Sequence, residues 1–120
     1  MRNKHFGHAL VHAFNGMKYF FLHERNGRIQ LCCAGAVLLL AKGLGVPAMQ
    51  CALLLLCIAM VIGLEMLNSA LEQLCNVVQK EYHPVIKSIK DMAAGAVLWA
   101  SVFAAAIGLY VLLPKLFYLL

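Results

Sequence analysis

"LLLLCIAMVIGLEMLNSALE", residues 53–72, decides the architecture of this 120-residue chain. From Leu53 to Leu64 it offers no charged or amide side chain, and then two carboxylates, Glu65 and Glu72, arrive seven positions apart. A charged side chain near the middle of a bilayer costs at least about 2.5 to 3.5 kcal/mol, so such a residue faces a partner, a ligand or water. A long apolar run that ends in acidic groups therefore reads as a membrane helix with chemistry toward one end.

The rest of the composition agrees. At 63% hydrophobic and 12% charged residues, the chain lies outside the range of ordinary soluble domains. Charge-free stretches cover 29–41, 43–64 and 92–114, and a spanning helix needs roughly 20 mostly apolar residues. The expected architecture is all-α: one membrane-embedded domain over 1–120, with an interfacial amphipathic helix at about 5–23 and transmembrane helices at about 29–46, 48–79 and 90–113. Between positions 5 and 21 the apolar residues Phe6, Ala9, Leu10, Ala13, Phe14, Met17, Phe20 and Phe21 keep to one helical face, while His5, His8, His12, Asn15 and Lys18 take the other. That pattern suits a helix lying in the membrane interface. "GLGVP", 43–47, marks a tight turn. "KEYHPVIKSIKD", 80–91, reads as a connection in which Pro84 disfavours helix at His83, and Pro114 with Lys115 marks the far end of the last span.

The net charge of +5 does not indicate nucleic acid, because the basic residues are scattered around the spans instead of forming a patch. Eight of the ten, Arg2, Lys4, Lys18, Arg25, Arg28, Lys80, Lys87 and Lys90, precede the first expected span or lie between the second and third. The positive-inside tendency then makes those segments and the N-terminus cytoplasmic. No compact apolar segment with a small-residue cleavage site opens the sequence, so no cleavable signal peptide is expected. The five cysteines, Cys32, Cys33, Cys51, Cys57 and Cys75, form no C-x-x-C pair and read as small packing residues.

On a helix advancing about 100° per residue, Glu65, Asn68, Ser69, Glu72 and Asn76 share roughly 100° of arc. This stripe belongs against protein or water. Asn and Ser serve as interhelical glue in membranes, but two carboxylates repel one another when both ionise. A cation or phosphate site, an ion or proton relay, and a purely structural seam are the three readings the stripe allows.

"EMLNSALE", then "KEYHP", then "IKDMAAGAVL", preceded by "NGMKYFFLHERNGRI", resemble the small prokaryotic integral-membrane diacylglycerol kinase family, which includes undecaprenol kinases. The likeness covers roughly 14–98, and the composite of E-x-x-N-S-A-x-E, E-Y-H and K-D at these separations is specific. It implies a homotrimer of three-span subunits in the prokaryotic cytoplasmic (inner) membrane that uses magnesium and ATP to phosphorylate the hydroxyl of a membrane lipid. Carried over by motif, Glu65 is the general base, Glu24 and Glu72 hold the metal, and Asn68, Glu81, Tyr82, His83, Lys90 and Asp91 hold the nucleotide. The lipid is assigned to Glu65, Lys18, Arg28, Gln30 and Ala94. All five acidic residues of the chain fall on these positions.

Two positions depart from the family pattern: Asn76 stands where members often carry Asp, and His12 where some have a tyrosine near the adenine. "HERN" and the "EYHPVIK" and "KDMAAGAVL" segments lean toward the undecaprenol-kinase branch. The chain has no G-x-x-x-x-G-K-[ST] loop and no H-R-D or D-F-G set. Phosphoryl transfer asks mainly for positioning and charge neutralisation, and magnesium takes one or two carboxylates alongside phosphate oxygens. Outside that resemblance, Glu24 reads as a solvated helix-end charge, Tyr82 and His83 as interfacial residues, and 93–96 as close helix packing. A small cation or proton channel using Glu65 and Glu72 is the competing function.

Overall fold

The computed structural model describes residues 6–120, and every regular element among them is helical: α1 (Phe6–His23), α2 (Arg25–Gly43), α3 (Ala48–Val78) and α4 (Pro84–Leu119). Arg2, Lys4 and His5, which figure in the charge and face arguments above, lie outside the described residues. At about 1.5 Å per residue, the 31-residue α3 is roughly 45 Å long. The hydrocarbon core of a bilayer is only about 30 Å thick. α3 is thus longer than that layer is thick, and its polar stripe occupies the C-terminal part of the helix.

α2 and α3 are joined by a short turn. Gly45, at φ 72°, takes the left-handed conformation that glycine adopts without penalty. The amides of Leu44, Gly45 and Val46 close the turn on the carbonyls of Leu40, Lys42 and Ala41. Beneath it Ala41, Val46, Leu54 and Val111 form the buried core, with Val37, Ile107 and Leu112 packed around them. α3 packs chiefly against α4 and less extensively against α2, while α1 lies against α2 and α3 at the other end.

Large apolar side chains cover the outside. Leu39, Leu55, Leu56, Trp99 and Tyr110 are all exposed, as are Phe6, Leu10, Phe14 and Met17 on the apolar face of α1. A water-soluble monomer rarely shows so continuous an apolar exterior. By length and composition α3 and α4 are the two helices among the described residues that are able to cross a membrane.

Two helices differ from expectation at both ends. α4 starts at Pro84, not near residue 90, so the connection from α3 shrinks to 79–83. Proline at the first helical position gives up no intrahelical bond, and the amide of Val85 donates to Nδ1 of His83, the capping residue. Nor does α4 stop near 113: it continues through Pro114 to Leu119, because a missing N–H removes one helical bond without ending an otherwise apolar helix. α2 occupies Arg25–Gly43, not 29–46: its first turn takes in Arg25 and Arg28, and the turn that follows begins at Leu44.

Candidate active site

The stripe on α3 divides by environment. Glu65 and Ser69, one turn apart, are buried, at 7% and 6% exposure. Asn68 is half-buried, and Glu72 and Asn76 are exposed. Across from the buried pair stands α2, whose Gln30 donates from Nε2 to Oε1 of Glu65 at 3.3 Å. The other end of that amide, Oε1 of Gln30, is buried without a hydrogen-bond partner. Buried acceptors are nearly always satisfied, so an unfilled one beside a buried carboxylate marks a place for a donor.

Gln30 also stands at the edge of an apolar groove of about 500 Å³ between α2, α3 and α4, which runs past Cys33, Cys57 and Ser101 to Leu112. A second cleft of about 410 Å³ lies between α1 and α3, with Glu24, Ser69 and Gln73 among its lining residues. Ser69 thus borders the cleft that holds Glu24, and Glu65, one turn away, meets the residue that heads the groove.

Glu24 sits between α1 and α2 with an extended backbone, φ −111° and ψ 112°, and its side chain makes no capping bond. No cation pairs with Glu24, Glu65, Glu72 or Glu81 among the described residues: the ion pair found there joins Lys87 to Asp91 at 2.6 Å. No group of three or more His, Cys, Asp or Glu side chains suited to a metal occurs among them either. Magnesium does not require one. Among the described residues neither Glu24 nor Glu72 makes a side-chain hydrogen bond or ion pair; Glu24 lines the α1–α3 cleft and Glu72 is exposed on α3, and magnesium takes only one or two carboxylates beside phosphate and water.

The Lys90-Asp91 doublet separates. Asp91 turns to Lys87, four residues back along α4, in a pair more than half exposed on both sides and worth only about 0.3 to 0.5 kcal/mol. Lys90 donates instead to Oδ1 of Asn76 at 2.6 Å, bridging the end of α3 to the start of α4. A neutral acceptor holds the ammonium without cancelling its charge. Glu81 and Tyr82 are exposed in the short connection, and Lys18 and Ala94 are exposed on α1 and α4. Among the described residues none of these four makes a side-chain hydrogen bond to Glu65 or Gln30. Arg28 is engaged elsewhere, with Nη1 donating to the carbonyls of Phe21 and Leu22 at 2.9 Å each.

Sequence reasoning did not foresee the contact of Gln30 with Glu65 across 35 positions, nor Ser69 and Gln73 in the α1–α3 cleft. A lone glutamine in the otherwise apolar stretch 29–41 was the available signal.

The sequence model of prokaryotic diacylglycerol kinase matches residues 11–112, a region that contains every one of these side chains. The chain belongs to this family. It is 41% identical over 106 residues to a diacylglycerol kinase of Synechocystis sp., covering 88% of this chain and 61% of that protein. An undecaprenol kinase of Bacillus subtilis is 34% identical over 108 residues, with 90% and 88% covered, and a diacylglycerol kinase of Helicobacter pylori is 30% identical over 95 residues, with 79% and 74% covered. The chain thus spans somewhat under two thirds of the Synechocystis protein and most of the other two. Those relatives are lipid kinases by name.

Proposed function

We propose that this chain transfers the terminal phosphoryl group of ATP to the hydroxyl of undecaprenol, working as a homotrimer of three-span subunits with its N-terminus in the cytoplasm. The observation that carries the reading is the Gln30–Glu65 pair at the head of an apolar groove. Polar side chains in that groove are confined to Gln30, Ser101 and the thiols of Cys33 and Cys57. A polyprenyl chain asks for no donors along its length, whereas the two ester carbonyls of a diacylglycerol do.

In this reading the lipid hydroxyl enters beside the unpartnered Gln30 Oε1 and donates its proton to the Glu65 carboxylate as its oxygen attacks the terminal phosphorus. The new O–P bond forms while the bond to the leaving ADP breaks. General-base assistance of this kind contributes about 10² to 10⁴ in rate. Gln30 orients the base through its amide, and Lys90, tethered by Asn76, presents a positive charge to the phosphates. Glu24 and Glu72 would hold magnesium, which would supply charge neutralisation on the nucleotide. Asn68, Glu81, Tyr82, His83 and Asp91 complete the nucleotide side. Lys18 and Ala94 lie toward the lipid. α2, with Arg25, Arg28 and Lys42 along it, is the third span, its basic first turn at the cytoplasmic face. The exposed apolar flanks of α3 and α4 leave room for neighbouring copies, and the exposed Glu72 is available at such a boundary.

Purified protein with magnesium and labelled ATP, offered undecaprenol and diacylglycerol separately and in competition, tests the reading. The expected outcome is transfer to both with at least a tenfold specificity for undecaprenol, about 1.4 kcal/mol in transition-state binding. A clear preference for diacylglycerol overturns the substrate assignment, and no transfer to either by folded protein overturns the reaction.

A further inference from the structure

The junction of α1 and α2 is held from three sides. The last carbonyls of a helix lack intrahelical partners, yet in α1 the Phe20 carbonyl accepts from the amide of Glu24 at 2.8 Å, and those of Phe21 and Leu22 both accept from Nη1 of Arg28. A cation in the first turn of α2 is disfavoured by that helix's own dipole. Arg28 escapes this by reaching back six and seven residues to the negative end of α1. The same junction contains Phe20, at 5% exposure the one buried side chain of α1, and its ring lies over Gly27. A Cβ placed on Gly27 would sit 2.5 Å from Cζ of that ring, so the site accepts glycine alone without displacing it. Between these contacts stands Glu24, extended and with its carboxylate unused as a cap, lining the cleft toward Ser69 and Gln73 of α3.

We propose that Arg28, with Phe20 and Gly27, is a clasp that fixes the α1–α2 elbow and thereby holds the Glu24 carboxylate in the cleft against α3. Arg28 is then a positioning residue for the metal side of the site and does not bind the lipid. The inference rests on the reading of Glu24 as a magnesium ligand, and it gives another purpose to a side chain that the sequence reading assigned to the lipid. The guanidinium has two carbonyl acceptors on its own chain. The exposed location of Arg28 means that its removal leaves the packed core intact.

Arg28→Gln, Arg28→Lys, Gly27→Ala and Glu24→Gln, each in detergent micelles, separate the possibilities. Amide hydrogen exchange over 20–28, measured without metal or nucleotide, should rise about tenfold in Arg28→Gln, the scale of losing a charge-assisted hydrogen bond. Gly27→Ala should do the same by expelling the Phe20 ring while the guanidinium remains. Arg28→Lys, which keeps a cation within reach of the carbonyls, should recover most of the protection. In both loosened variants the magnesium concentration for half-maximal rate rises several-fold, while the lipid KM stays within about twofold of the parent. A raised lipid KM in Arg28→Gln, with unchanged exchange and unchanged magnesium requirement, overturns the clasp and returns Arg28 to the lipid. Glu24→Gln should raise the magnesium requirement without altering exchange. If it leaves that requirement unchanged, the metal reading of Glu24 fails, and the exchange measurements still decide whether the clasp exists.

Discussion

The two ends of this helical bundle are built on opposite principles. At the α2–α3 turn, Ala41, Val46, Leu54 and Val111 exclude solvent and satisfy one another by packing alone. At the other end, where α1 folds back beside α3, the chain buries a carboxylate with a single amide partner and leaves a buried amide oxygen without a partner. One end is finished by the chain itself. The other is left with unmet hydrogen-bonding and charge requirements, the condition of a site that expects ligands. Stability and activity should accordingly respond to different substitutions.

The largest effect is expected at Glu65. Glu65→Gln preserves size and hydrogen bonding but removes the proton acceptor, so turnover should fall by about 10² to 10⁴ while the protein still folds and binds nucleotide. Activity within about tenfold of the parent would take Glu65 out of the base role. At the packed end, Leu54→Ala, a position 3% exposed, should lower stability by about 2 to 5 kcal/mol and leave the KM for ATP of the folded enzyme in place. If thermal denaturation shows no loss, the contrast between the two ends fails.

Glu72→Gln sharpens the contrast within α3 itself, since Glu72 is exposed where Glu65 is buried. It should raise the magnesium requirement more than it lowers the saturated rate, as expected for loss of one of two carboxylate donors. Identical magnesium titrations for variant and parent would remove Glu72 from the metal. A smaller effect is expected for Asn76→Ala, which releases Lys90 from its 2.6 Å tether: the KM for ATP should rise about fivefold, as for one hydrogen bond of about 1 kcal/mol, with little change for the lipid. Lys87→Gln breaks the exposed Lys87–Asp91 pair and should shift stability by no more than about 0.5 kcal/mol. A large loss of ATP affinity there would show that Asp91 needs its partner to serve the nucleotide.

Much of this was legible beforehand. Local patterns gave the helical class, the amphipathic α1, the turn at 43–47 and the polar stripe of α3, because each depends on spacing within one segment. The errors fell where one residue type has two meanings. The segment 80–91 reads as a connection although a helix opens within it at Pro84, and Pro114 reads as a terminus although the helix runs through it. Lys90 and Asp91, adjacent in sequence, point about 100° apart on the helix and go to different partners.

Sequence by itself determined that this is an apolar helical protein with its acidic residues confined to a few motif positions, since hydrophobic periodicity and charge placement are properties of the chain. Tertiary structure alone decided that Gln30 meets Glu65, that Asn76 holds Lys90 and that Arg28 turns back onto α1. The physical reason is direction: a side chain's neighbours depend on how helices rotate and lean against one another, and the pattern along one helix does not fix that angle.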